Sequence, residues 1–502
     1  MIGAAKSFAL TLALLVSCAL PLTAQEAGRH AAPTTVASAD TAPPHPLPPS
    51  ATTSHVLKLG DRTINFTAKA GAIRLSDAGS GAPLADVAYI AFLKDGVDSA
   101  KRPITFAVNG GPGAGSAWLD LGALGPWRLP LEDGKLPPSA APATVPNAET
   151  WLDFTDLVFI DPPDTGYSRV LDKDARKTFF SVDGDINALS VAIRKWLTEN
   201  HRLESPKFIV GESYGGFRAP KLARRLTDAE GVGINGIVMI SPVLDFGWFN
   251  STNNPLTFAT HLPSMTAAAR DLTGADARGK LVDVEAYAAG PYIVDLLRGD
   301  SDAAALDRIG AKVAGFTGLD PALVRKLGGR IDTRTFTRER DRAAGRVASA
   351  YDALVSGYDP QPHAARGEYA DPVLDALKTP LASAISDLAA NQLKWFVDAR
   401  YEILNEKVSE DWDWGHGTTA EAMGDLKQDL ALDPKFRVLV AHGVTDLVTP
   451  YFTSKLLLDQ IAPMGEPGRV HLSVYGGGHM FYARDASRAA LRDDARKLIE
   501  AN

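Results

Sequence analysis

Cysteine is all but missing from this sequence, with Cys18 the single one in 502 residues. A chain cleaved beyond that position has no disulfide even in an oxidising compartment, and a structural zinc cluster built on cysteines is excluded. Stability then has to come from an apolar core. Blocks of Lys and Arg are missing too, and with a net charge of −8 nucleic acid is not an expected partner. The apolar run Phe8 to Ser17 is too short to anchor stably in a bilayer, so no integral membrane span is expected. Neither a metal-binding cluster nor a nucleotide-binding loop is evident, and no cofactor is expected. The remaining composition, 45% hydrophobic and 22% charged, is that of a soluble globular protein. Its length is large for one domain, which predicts either a large domain with an insertion or two domains.

What is present begins with a targeting segment. Lys6 precedes the run Phe8 to Ser17, which has the length of a signal-peptide core, and cleavage after Ala24 would suit export, so residues 1–24 are read as a signal peptide. The alternative is Leu15-Val16-Ser17-Cys18, which is similar to a bacterial lipoprotein box and would leave the protein lipid-anchored through Cys18. A secreted or periplasmic location is the expectation. Residues 25–54 are rich in Ala, Pro, Thr and Ser without periodicity and are read as a disordered leader, because such a segment cannot bury enough apolar surface to order itself.

From residue 55 the pattern is that of a sheet. Val56-Leu57-Lys58-Leu59 and Thr63 to Thr67 alternate around Gly60-Asp61 and predict antiparallel strands, continued by Ala88 to Phe92. Ile104 to Val108 and Leu157 to Ile160 read as buried strands ending at Asn109-Gly110-Gly111-Pro112-Gly113 and at Asp161-Pro162-Pro163. Ile186, Leu189, Ile193, Trp196 and Leu197 recur at helical spacing, and Ile237 to Ile240 is a further strand. This order predicts an α/β fold with a doubly wound, mostly parallel sheet whose ligands gather at the carboxyl ends of the strands.

Strand Val438 to Ala441 arrives about two hundred residues after Ile240, although a crossover needs only a few dozen. Residues 245–425 carry helical patterns over Ala303 to Val313, Leu374 to Leu388 and Leu393 to Leu404, with no strand series. They predict a mainly helical cap inserted between two core segments, 55–244 and 426–502. An independent second domain is the alternative. Trp412, Trp414 and His416 could line a pocket there, although packing is the commoner role of aromatic residues near turns.

The centre of the pattern is Phe208-Ile209-Val210-Gly211-Glu212-Ser213-Tyr214-Gly215-Gly216, a buried strand that runs into G-x-S-x-G and then into a helix. A serine hydroxyl is a poor nucleophile, and a tight strand-to-helix turn holds its Oγ clear of the sheet, where a base can reach it. An acid and then a histidine should follow later strands. Val438 to Ala441 leads to Asp446, and Leu472 to Tyr475 leads to Gly476-Gly477-Gly478-His479. The other histidine beyond Asp446, His471, falls within the strand. Ser213, His479 and Asp446 are therefore the candidates for nucleophile, base and orienting acid of an acyl transfer. The tetrahedral oxyanion would take the backbone N–H of Tyr214 and a second N–H from the loop Asn109-Gly110-Gly111.

These landmarks, together with Asp161-Pro162-Pro163-Asp164-Thr165-Gly166-Tyr167-Ser168 and Gly478-His479-Met480, resemble those of the serine carboxypeptidases, in the family's order from about residue 104 to the C-terminus. The resemblance implies an α/β-hydrolase fold, a secreted bacterial member, and removal of C-terminal residues from peptides with a free C-terminus, often best at acidic pH. It implies Ser213, Asp446 and His479 as the triad, Gly111 and Tyr214 as oxyanion donors, and Asn109, Gly110 and Glu212 as the groups that hold the terminal carboxylate. Glu212 can do so only when protonated, since two bare carboxylates side by side repel. Two positions depart from the family: its usual second glutamate aligns with Ala123, and a family cysteine is Ala114. The first leaves open an esterase or acyltransferase on the same scaffold. A hydrolase fold that only binds is the reading from a different class, against which the complete Ser, His and Asp set argues.

Overall fold

The computed structural model of the chain describes residues 47–140, 142–249, 253–365, 367–415 and 420–501. The signal peptide, Cys18, most of the leader and His416 lie outside the described residues. The leader's far boundary is corrected by the first strand, β1 (Ala51–Leu59), whose opening residues Ala51 to Ser54 pair with Ala70 to Thr67. A partner strand supplies the backbone hydrogen bonds that composition alone does not promise to a Thr/Ser-rich segment.

β1, β2 (Arg62–Ser76) and β3 (Pro83–Lys94) are antiparallel, with Gly60-Asp61 in the first turn. β4 (Ile104–Val108), β5 (Asp156–Ile160), β6 (Lys207–Glu212), β7 (Gly236–Ile240), β8 (Arg437–Gly443) and β9 (Val470–Tyr475) are parallel, giving the order β1-β2-β3-β5-β4-β6-β7-β8-β9. The central strands are buried end to end because helices and loops cover both faces, which is why their sequences are continuous apolar runs. Successive residues still separate by face. Ile104, Phe106 and Val108 pack with helices α1 (Val182–Glu199) and α2 (Tyr214–Ala229), whereas Ala107, Phe159 and Phe208 pack with Trp118, Trp151 and the C-terminal helix.

The register brings the strand ends to one rim. Val108 lies opposite Gly211, Ile240 opposite both Glu212 and Ala441, and Gly443 opposite Tyr475. The loops after β4, β6, β8 and β9 therefore leave the sheet together. This strand order, with a strand–turn–helix elbow after β6, is the α/β-hydrolase fold.

The long segment between β7 and β8 leaves and returns at adjacent points: Phe246 N–H donates to Ala420 O at 3.0 Å and Ala422 N–H to Leu244 O at 2.9 Å. Between them lie helices α3 (Pro255–Ala269), α4 (Ala303–Thr317) and α5 (Leu374–Asp387), with a hairpin of Arg346–Ala348 and Ser356–Tyr358. Its apolar side chains share clusters with the sheet segments. Phe258, Leu262 and Met265 pack with Val444, Leu447 and Tyr451, and Leu377 and Leu381 with Trp118 and Trp151.

The helix expected over Leu393 to Leu404 does not form. Leu393, Trp395, Val397, Tyr401 and Ile403 are buried, while Lys394, Phe396 and Asp398 are exposed, which is the period of extended chain. Leu393, Val397, Tyr401 and Leu404 also fall at helical spacing, and that coincidence hid the shorter period. The extended segment is fixed by bridges from Leu404 to Ala114 and from Glu402 to Gly166. Among the described residues no helix is long and apolar enough to cross a membrane.

Candidate active site

Ser213 stands in the turn between β6 and α2 at φ 59° and ψ −120°, a conformation that costs an L-residue about 1–3 kcal/mol and persists only where its surroundings enforce it. Its N–H donates to Ile240 O at 2.9 Å, which ties the elbow to β7. Glycine is required around it by space. A Cβ on Gly211 would stand 1.9 Å from Gly215 O, and one on Gly110 would stand 2.6 Å from Tyr214 N. The loop after β4 is thereby pressed against the elbow. As first residue of its helix, Tyr214 has an N–H with no acceptor in the preceding turn of that helix, free for a ligand.

One side chain holds these two segments together, and sequence reasoning missed it. Arg218, on α2 and wholly buried, donates Nε and Nη2 to Asp185 of α1 at 2.6 and 3.1 Å, while Nη1 donates to Asn109 O. Its guanidinium also lies 4.7 Å from the Tyr214 ring centroid. The carbonyl end of the Asn109 loop is thus anchored to the helix that begins at the elbow.

His479 and Asp446, the candidate base and acid, lie against each other. His479 Nδ1 donates to Asp446 Oδ2 at 2.8 Å, and both side chains are buried. The other carboxylate oxygen accepts from the N–H groups of Val448 and Thr449 at 2.8 and 3.0 Å, and Thr449 Oγ1 lies 2.7 Å from Oδ2. Burial works to raise the Asp446 carboxyl, but the attraction of His479 and these hydrogen bonds outweigh it and hold it below its ordinary value. Burial works to lower His479, yet Asp446, with help from Glu212 and Asp371, leaves the imidazole above its ordinary value. His479 O accepts from Ser241 Oγ at 2.8 Å, and its N–H donates to Tyr351 O at 2.5 Å. His471 is exposed on β9, away from this arrangement.

A cleft of about 250 Å³ opens at the rim, lined by Asn109, Gly110, Gly111, Glu212, Ser213, Tyr214 and His479, with Trp118, Tyr351 and Thr449 among the further wall residues. The structure thus gathers the sequence-predicted residues at one place, with Asp446 directly behind His479. Glu212 is wholly buried; desolvation lifts its carboxyl to about 7 against the pull of His479 and of its hydrogen bonds to Tyr482 and Asn109. Trp412 and Trp414 do not line this cleft: they pack edge-on to the Tyr214 ring, with centroids 5.4 and 5.6 Å away. A larger cavity of about 600 Å³ in the inserted segment, lined by His261, Asp332 and Tyr369, holds none of the predicted residues.

Strand order and elbow together define the class, an α/β-hydrolase-fold chain with a serine at the nucleophile position. Residues 82–262 match the model of the serine carboxypeptidase family. The match includes the Asn109 loop and the elbow and ends before Asp446 and His479. Among similar proteins is the pheromone-processing carboxypeptidase kex1 of Schizosaccharomyces pombe, 30% identical over 157 residues, 31% of this chain and 28% of that protein. The serine carboxypeptidase-like 51 protein of Arabidopsis thaliana is 32% identical over 130 residues, 25% of each chain. The chain spans about a quarter of the length of these relatives. A proline iminopeptidase from Mycobacterium smegmatis superimposes over 89% of this chain and 99% of its own at 14% identity and a TM-score of 0.33, too low to add to the strand order.

Proposed function

We propose that this protein is a serine-type carboxypeptidase that cleaves the last peptide bond of substrates with a free C-terminus through an acyl-enzyme. The observation that carries the reading is the buried His479–Asp446 pair beside a strained Ser213, in a cleft that also holds Asn109 and Glu212. His479 Nε2 takes the Ser213 proton as Oγ attacks the scissile carbonyl, and Asp446 keeps the imidazole in the tautomer that leaves Nε2 free. The N–H groups of Gly111 and Tyr214 receive the oxyanion, each such donor being worth about 3–4 kcal/mol. His479 then protonates the leaving amine, and water repeats the cycle on the acyl-enzyme. Asn109, Gly110 and protonated Glu212 hold the terminal carboxylate and so place the last peptide bond, rather than an internal one, over Ser213.

The test compares a blocked dipeptide bearing a free C-terminus with its C-terminal amide. The free acid is expected to have a kcat/KM at least about tenfold higher, since the amide forgoes a charge-assisted contact. Equal hydrolysis of the two would contradict a carboxypeptidase and favour the esterase or acyltransferase reading, which the buried alkyl group of Ala123, where the family carries an acid, otherwise supports.

A further inference from the structure

Glu212 is held from two sides. On one, Asn109 Nδ2 donates to Oε2, and the amide cannot be turned round because its Oδ1 accepts from Leu119 N–H at 3.2 Å. On the other, the hydroxyl of Tyr482 donates to Oε1 at 2.7 Å. Tyr482 sits in the short turn Phe481–Ala483 just beyond His479, is 3% exposed, and is not among the residues lining the cleft. Its ring occupies space that a side chain at 122 would take: a Cβ on Gly122 would stand 2.6 Å from Tyr482 Cε2. Next to it, Ala123 is fully buried and carries no polar group to reach Glu212. The two small residues and the tyrosine thus form one fitted arrangement behind the carboxyl.

We propose that Tyr482 is a positioning residue for recognition of the substrate's C-terminal carboxylate, gripping Glu212 Oε1 from behind in place of a second acid so that the carboxyl presents its single proton on Oε2, beside Asn109. The inference rests on the carboxypeptidase reading above. A substrate carboxylate facing ionised Glu212 would be repelled, whereas one facing the protonated acid receives a hydrogen bond. A second carboxyl could share a proton with Glu212. A phenol cannot, because burial and then the neighbouring Glu212 hold Tyr482 well above its ordinary range and it stays a donor. The other ionisable groups acting on Glu212 are His479, which favours its anion, and Asp446, which disfavours it; Tyr351 faces it from the inserted segment.

Tyr482→Phe removes a donor to the carboxylate while leaving the ring in place. The alkaline limb of kcat/KM for a free-acid dipeptide should move up by about one pH unit, because the anion of Glu212 loses a stabilising hydrogen bond. Below that limb KM should rise several-fold more than kcat falls, and the preference for acid over amide should shrink. In a Glu212→Gln background the same substitution should leave the limb where it is. Gly122→Ala, which forces the ring off its seat, is the second variant and should shift the limb in the same direction. A folded Tyr482→Phe enzyme with the parent limb and KM would overturn the role, and so would a shift that persists without the Glu212 carboxyl. Loss of acid-over-amide preference in the parent enzyme would instead defeat the carboxypeptidase reading itself.

Discussion

At Glu212 burial and hydrogen bonding pull against each other, and burial prevails, leaving the carboxyl at about 7. A group so placed is protonated below that pH and ionised above it. Carboxylate recognition is therefore present in acid and lost as pH rises through 7, with kcat/KM on free-acid substrates falling about tenfold for each further unit. Glu212→Gln keeps a neutral hydrogen-bonding group at every pH, so its kcat/KM should stay nearly level from pH 7 to 9. A pH–rate profile with the parent's alkaline limb would contradict the role given to Glu212. Of the residues in this cluster, Glu212 is reached through the resemblance of Gly211-Glu212-Ser213-Tyr214-Gly215 to the serine carboxypeptidases. Tyr482 is not, since nothing in Met480-Phe481-Tyr482 separates a phenol aimed at a carboxyl from ordinary apolar packing.

Among the elements, α2 does two tasks: its first residue presents the Tyr214 N–H at the cleft, and its second turn carries Arg218 to the Asn109 loop. Arg218 and Asp185 are both nearly inaccessible to solvent. Replacing Arg218 by Met would strand a buried carboxylate and cost about 3–5 kcal/mol of stability, while Arg218→Met with Asp185→Leu should recover most of it. Denaturant unfolding checks this; a single variant within 1 kcal/mol of the parent would contradict the anchoring role. The double variant should remain impaired in kcat, because the Asn109 carbonyl has still lost its donor. The parallel strands were legible because burial on both faces demands continuous apolar runs, and the order of nucleophile, acid and base followed from where those strands end. Arg218 was illegible as an isolated charge on the same helix as the partly buried Arg224, yet it lies four and eight residues before the buried Leu222 and Leu226, and that periodicity was a usable signal. Leu393 to Leu404 failed for the opposite reason: two periods fit the same residues, and only the partners at Ala114 and Gly166 decide between them.

For the whole molecule, the site exists because segments more than two hundred residues apart in sequence arrive at one sheet rim. The inserted segment is part of that site, since Tyr351 gives its carbonyl to His479 N–H and its ring stands edge-on to the imidazole at 5.2 Å. No sequence motif marked that contribution, because wall residues from an insertion follow tertiary packing rather than spacing. The most direct test is reaction of the full chain with a fluorophosphonate probe, followed by mass-spectrometric mapping of the adduct. A single adduct on Ser213 is predicted, forming at least about a thousandfold more slowly in a folded His479→Gln variant. An unlabelled Ser213 in the folded parent, or labelling as fast without the imidazole, would contradict the account.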